Sequence, residues 1–194
     1  MTTIVMLGGN GYIGRHTTMK WLEKDSTAQF YVLSRSGKNS LVDPRVHTLK
    51  AGVSDYESVK SVLPDKVDYI VDFVGCPEKD PEVFKQVNNK PAEVMQKIAE
   101  EKGAKAMGFI GGTFGPKSFA NGKKAIMQEL KKSSVRLEVV EPTVVYGADR
   151  NDAISKMVPL LKVFGRISQR LPLRRHRQAP RSLGLLTLTS RFLC

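Results

Sequence analysis

Cysteine is scarce in this 194-residue chain, which has only Cys76 and Cys194. That argues against a disulfide framework and fits a reducing cytoplasm. No apolar run approaches the roughly 20 residues needed to span a bilayer. Met1 leads straight into a strand-like segment, without a basic stretch and long apolar core, so no secretory signal is expected. The three histidines, His16, His47 and His176, are isolated and set no metal-ligand spacing. Asp65, Asp68 and Asp72 follow strand and turn positions rather than a ligand cluster. Neither a nucleophile elbow nor a Walker loop occurs.

What is present is enough for one folded domain: 41% of the residues are hydrophobic. The net charge of +12 raises the question of a nucleic-acid partner. Residues 166–194 answer it, because they hold seven arginines, no lysine and no acid, which leaves +5 for residues 1–165. The charge thus describes the tail, and a nucleic-acid role for the domain is not favoured. The preference for lysine up to residue 165 reverses completely after it, and no helical or strand period follows. Translation in a shifted frame explains this composition best; a genuine basic tail is the rival reading.

Up to residue 165, strand-like and helix-like segments alternate. Strands are expected at Ile4–Leu7, Phe30–Leu33, Val46–Leu49, Val67–Val74, Ala106–Ile110 and Leu137–Tyr146. Helices are expected from Tyr12 to about Lys24, after a cap at Asp55, over Val83–Glu101 with a break near Asn88–Pro91, over Lys123–Lys132, and over Ala153–Phe164. This alternation predicts an α/β fold: a doubly wound parallel sheet with strand order 3-2-1-4-5-6 over residues 1–165, and a poorly structured tail.

The first strand ends in Leu7-Gly8-Gly9-Asn10-Gly11-Tyr12-Ile13-Gly14. Gly8 permits the tight turn, Gly11 lets backbone approach a pyrophosphate, and Gly14 lets the helix pack closely on the strand. The helix N-terminus then presents N–H groups and partial positive charge to phosphate. A glycine triplet between a strand and a helix predicts a dinucleotide site. The second strand ends in Ser34-Arg35-Ser36-Gly37-Lys38, with Arg35 placed 21 residues after Gly14 and no acid there to take a ribose 2′-hydroxyl. An arginine in this position pairs with a 2′-phosphate, which favours NADP over NAD.

These residues resemble the short-chain dehydrogenase/reductase superfamily, in its nucleotide-sugar epimerase and NmrA-like branches. The likeness rests on Gly8–Gly14, on Val74-Gly75 where the family's fourth strand passes the cofactor, and on Val140-Glu141-Pro142-Thr143-Val144-Val145-Tyr146-Gly147. It implies a cofactor site made of Gly8, Asn10, Gly11, Tyr12, Ile13, Gly14, Ser34, Arg35, Val53, Val74, Gly75, Lys123 and Pro142. It also implies a catalytic tyrosine four residues before a ribose-binding lysine. Counting back from the sixth strand puts that lysine at Lys123, the one candidate catalytic residue, and the tyrosine at Phe119, which has no exchangeable proton. Glycine at 111 stands where a substrate-orienting serine is implied, Glu141 replaces an arginine, and Gly52 replaces an aspartate near adenine. The segment implied to close the substrate side has no counterpart in residues 166–194.

Two readings of Lys123 stay open: a ribose ligand, or part of a solvated helix face with Lys124. Thr113 offers a hydroxyl near the missing serine. Cys76 reads as a small buried structural cysteine. Functionally, the sequence points to an NADP-dependent oxidoreductase or epimerase-like protein acting on an unidentified small molecule. The alternative is a non-catalytic redox sensor of the NmrA-like kind.

Overall fold

The computed structural model describes residues 1–113 and 115–142. The continuation of the sixth strand towards Tyr146, the helix expected over 153–164 and the tail 166–194 lie outside the described residues.

Six strands form one parallel sheet: β1 (Thr2–Leu7), β2 (Ala28–Ser34), β3 (Val46–Lys50), β4 (Tyr69–Asp72), β5 (Ala106–Ile110) and β6 (Leu137–Val140). Their order is β3-β2-β1-β4-β5-β6, the doubly wound arrangement expected from the alternation. β1 lies at the centre and pairs Leu7 with Leu33 on β2 and with Asp72 on β4. Side chains alternate across it. Ile4 and Met6 face α1 (Tyr12–Lys24) with Trp21, Phe30 and Val32. Val5 and Leu7 face the other layer, packed with Leu33, Ile70, Met95, Ile98, Phe109 and Leu130. That layer contains α2 (Tyr56–Lys60), α4 (Lys90–Glu101) and α5 (Lys117–Leu130), with the single turn α3 (Pro81–Phe84) leading into α4.

At the N-terminal edge of the sheet, the buried Asp68 carboxylate accepts the Thr3 N–H at 2.9 Å and pairs with Lys105 at 3.2 Å and Lys66 at 3.3 Å. It thereby ties the start of β1 to the approaches of β4 and β5.

Three expected elements change. The break near residues 88–91 is absent. Lys85–Asn89 form a π-helical turn that carries α3 into α4 without interruption. Pro91 has no N–H and would crowd a carbonyl in a regular helix, and a widened turn removes both conflicts. α5 begins at Lys117, six residues before the expected start, with Pro116 as its N-cap. β4 is limited to four residues, because Phe73 leaves the ladder with β5 while its N–H still bonds Leu7 O at 3.0 Å. The cap at Asp55 is as expected, its carboxylate accepting the Ser58 N–H.

Candidate functional site

A cleft of about 620 Å³ opens at the C-terminal ends of β1, β2 and β4, lined by Gly8, Asn10, Ser34, Arg35, Ser36, Val53, Phe73 and Val74. This edge, at the point where strand order reverses, is where open α/β sheets bind ligands.

The turn after β1 is built by glycines that the fold itself demands, Gly9 among them, where a Cβ would meet Met6 Cβ at 2.7 Å. Gly8 has φ +68°, and a Cβ there would come within 2.8 Å of Val74 Cγ2. A Cβ on Gly14 would meet Gly9 Cα at 2.5 Å. Gly11 differs: its φ is −69°, and the nearest atom to an added Cβ would be Gly8 O at 3.3 Å. Packing at Gly11 is thus tight, though less severe than at Gly8 or Gly14. Gly11 is also the N-cap of α1, no side chain caps the helix, and its first turn carries no acid. The first amides of a helix have no intrahelical acceptor, so this end is suited to an anion. Tyr12 and Ile13 stand half-buried in that turn, with the Tyr12 ring 4.6 Å from His16.

The wall beside β2 carries hydroxyls and one cation. Ser34 is buried and its hydroxyl lies 3.5 Å from that of Ser36. Arg35 is exposed and has no acidic partner among the described residues. Arg15, from the first turn of α1, donates to Ser40 Oγ at 2.8 Å and joins the helix to the loop after β2. Val53 completes this side after Gly52, whose N–H is held by Ser58 Oγ at 2.9 Å.

On the β4 side, Lys123 is only 3% exposed and donates from Nζ to the Val74 carbonyl at 3.0 Å. Its Nζ lies 4.5 Å from the centroid of the Phe109 ring, and a Cβ on Gly75 would stand 3.0 Å from that nitrogen. The solvated-face reading therefore fails for Lys123, while Lys124 is exposed. Burial pulls the Lys123 ammonium below its usual range, opposed by the Asp72 charge. Asp72 is completely buried, and that burial pushes its carboxyl up to about 6 against the pull of Lys123 and of the Val74 N–H.

Phe119 sits one turn before Lys123 on the same buried face of α5. Its ring packs edge-on to Phe84, with centroids 6.3 Å apart, and a Cβ on Gly112 would meet its Cε1 at 2.6 Å. Gly111 is covered in the same way by Glu141, whose Cγ would lie 2.9 Å from an added Cβ. Glu141 itself is exposed. Thr113 is exposed and donates a long hydrogen bond, 3.5 Å, to Pro142 O.

The structure thus brings six of the expected residues, Gly8, Asn10, Ser34, Arg35, Val53 and Val74, onto one cleft. Gly11, Tyr12, Ile13, Gly14, Gly75, Lys123 and Pro142 do not line it. Gly75 and Lys123 stand behind Val74, and Pro142 follows β6 beside Thr113. Ser36 and Phe73 are additional wall residues. Cys76 requires a correction, since it is exposed rather than buried. Its backbone is pinned instead, with its N–H donating to Asn88 Oδ1 at 3.2 Å and its carbonyl accepting from Asn88 Nδ2 at 3.0 Å. Sequence reasoning missed Asn88 and the burial of Asp72. The signal for Asp72 was a carboxylate inside an apolar strand, which burial obliges to be partnered.

No group of three or more potential ligands is placed to hold a metal among the described residues. No helix among them is long and apolar enough to cross a membrane.

Residues 4–118 match the family described as NAD dependent epimerase/dehydratase. Among curated relatives, UDP-glucose 4-epimerase of Lacticaseibacillus casei is 35% identical over 85 residues, covering 41% of this chain and 26% of that protein. Among solved structures, the Bordetella bronchiseptica enzyme WbmH in complex with NAD+ superposes with a TM-score of 0.65 at 17% identity. That match covers 87% of this chain and 63% of the other. The GalE-like L-threonine dehydrogenase from Cupriavidus necator, in its holo form, gives 0.69 at 13% identity, covering 84% of this chain and 62% of that one. The chain therefore spans about a quarter of the curated relative and under two thirds of these solved chains.

Proposed function

Because this chain belongs to the NAD-dependent epimerase/dehydratase family, we propose that its cleft binds a nicotinamide dinucleotide and prefers the 2′-phosphorylated form, NADP(H). The observation that carries this reading is the convergence of Gly8, Asn10, Ser34, Arg35, Val53 and Val74 on one cleft. As the N-cap of α1, where no side chain caps the helix end, Gly11 fits the same cofactor.

In this reading the turn Gly8–Gly14 and the α1 N-terminus take the pyrophosphate. Arg35 takes the 2′-phosphate through charge-assisted bonds, aided by the hydroxyls of Ser34 and Ser36. Val53 flanks the adenine. Val74, Gly75 and Lys123 serve the nicotinamide side, with Pro142 beyond it. A nicotinamide bound here would supply hydride transfer to or from carbon. Lys123, behind Val74, would support the adjoining ribose by holding the Val74 carbonyl in place. Phe119 can neither give nor take a proton, so proton exchange with substrate falls to water or to another group. The activity is that of an oxidoreductase or epimerase-like protein, as the names of its relatives indicate for those proteins.

A second reading, a non-catalytic sensor whose partner surface follows the bound cofactor, is favoured by one observation. The Phe119 ring is packed into the core against Phe84 and Gly112, where the family position calls for an acidic hydroxyl.

One screen separates the two. The chain, supplied with NADPH or NADP+, is offered sugars, quinones, flavins, small carbonyls and secondary alcohols, and hydride transfer is followed by nicotinamide absorbance. Turnover of any of these establishes the enzyme. Tight binding without turnover, with a partner whose affinity follows the redox state, establishes the sensor. Failure to bind either dinucleotide overturns both.

A further inference from the structure

β4 is buried and apolar at Ile70 and Val71, yet its last residue is an aspartate with no exposed surface. An ionised carboxylate in such a place requires hydrogen bonds and a counter-charge. Asp72 has one of each. Its Oδ1 accepts the Val74 N–H at 2.8 Å, and Oδ2 accepts no hydrogen bond among the described residues. The charge acting on it is that of Lys123, and the charge acting on Lys123 is that of Asp72.

The two side chains meet at one residue of the cleft wall. Asp72 holds the N–H of Val74, Lys123 holds its carbonyl at 3.0 Å, and the Val74 Cγ2 lies 2.8 Å from where a Cβ on Gly8 would stand. Val74 lines the cleft, whereas neither Asp72 nor Lys123 does. A change at Asp72 therefore reaches the cleft through the Val74 backbone, and it also removes the charge that opposes the effect of burial on Lys123.

We propose that Asp72 is a positioning residue for the nicotinamide side of the cleft, fixing the Val74 peptide on which Lys123 also rests. This rests on the reading of the cleft as a dinucleotide site. Asp72 touches no cofactor; it acts through Val74 and Lys123. Without it, the ammonium faces burial alone and gives up its proton at lower pH.

The test uses the full chain and NADPH as the probe, titrated calorimetrically between pH 6 and 9 into the wild type, Asp72→Asn, Lys123→Met and the double variant. Asp72→Asn should bind NADPH at least tenfold more weakly. Its affinity should also decline at a pH at least one unit lower than in the wild type. The double variant should bind no worse than Lys123→Met, because both changes remove one device. Wild-type affinity and pH profile in Asp72→Asn, or losses that add in the double variant, overturn the proposal. Should Asp72→Asn fail to fold, wild-type protein with 13C-labelled lysine decides the matter. The Lys123 Cε resonance, assigned by its loss in Lys123→Met, should show a step near pH 6 as Asp72 titrates. A flat resonance through that range overturns the coupling. A wild type that binds no dinucleotide overturns the cofactor reading itself, which is a different result from a binding wild type whose affinity ignores Asp72.

Discussion

Gly14 packs directly on Gly9: a Cβ added to Gly14 would stand 2.5 Å from the Gly9 Cα and 2.7 Å from its carbonyl oxygen. Backbone on both sides leaves nothing that can yield. Gly14→Ala should therefore destabilise the fold by about 2 kcal/mol or more. Gly11→Ala meets only Gly8 O at 3.3 Å and has an ordinary φ, so its stability should stay within about 1 kcal/mol of the wild type. Its dinucleotide affinity should nonetheless fall about tenfold, or about 1.4 kcal/mol. Urea melts and calorimetric titrations of the two variants check this. Equal losses of stability would show that both glycines serve the fold alone.

Acid sensitivity should trace to Asp68. Burial raises its carboxyl, but the Thr3 N–H and the ammonium groups of Lys105 and Lys66 outweigh this and hold it below the ordinary value of 3.8. A carboxylate depressed in the folded state stabilises above its unfolded value and loses that contribution as pH falls through the folded one. Stability should thus be level with respect to Asp68 at neutral pH and drop below about pH 4. Asp68→Asn should cost about 1–2 kcal/mol at pH 7 and remove part of the acid-dependent slope. Denaturant melts at pH 7, 4 and 3 measure both effects, and an unchanged slope in the variant would contradict the assignment.

The strands, their order and the glycine turn were legible because local and tertiary signals agree there. Tyr12–Lys24 is a helix in both accounts, since Gly11 opens it and Thr17 and Trp21 recur on its buried face. Agreement ends where tertiary contacts decide. The helix expected from Lys123 begins at Lys117 and includes Gly122, where a Cβ would overlap the Phe84 ring. The glycine makes room for a ring from another helix. Pro91 reads as a break, and the π turn at Lys85–Asn89 absorbs it. On the cleft wall, Arg35 was expected from its place after the second strand and Val74 from the family resemblance. The burial of Lys123 was not, because its depth depends on where α5 begins. Nor was the exposure of Cys76, which follows from a loop pinned by Asn88 twelve residues later.

On the family resemblance, Phe119 stands where a catalytic tyrosine is implied. Phe119→Tyr should raise NADPH-dependent turnover of a carbonyl or alcohol by about 10²-fold or more, the usual contribution of a positioned acid. Steady-state rates of the variant and the wild type on the same substrate panel test it. Unchanged rates, with the variant folded and binding cofactor, would remove position 119 from the chemistry.

The central claim is that the cleft holds a nicotinamide dinucleotide and reads its 2′-phosphate with Arg35. Calorimetric titration of NADPH and NADH into the wild type and Arg35→Ala tests it most directly. The account predicts tighter binding of NADPH by the wild type. It also predicts an NADPH loss of about 1.5–3 kcal/mol in Arg35→Ala, with NADH nearly unaffected. Equal affinities in the wild type, or an Arg35→Ala variant that binds NADPH as well as the wild type does, would contradict it.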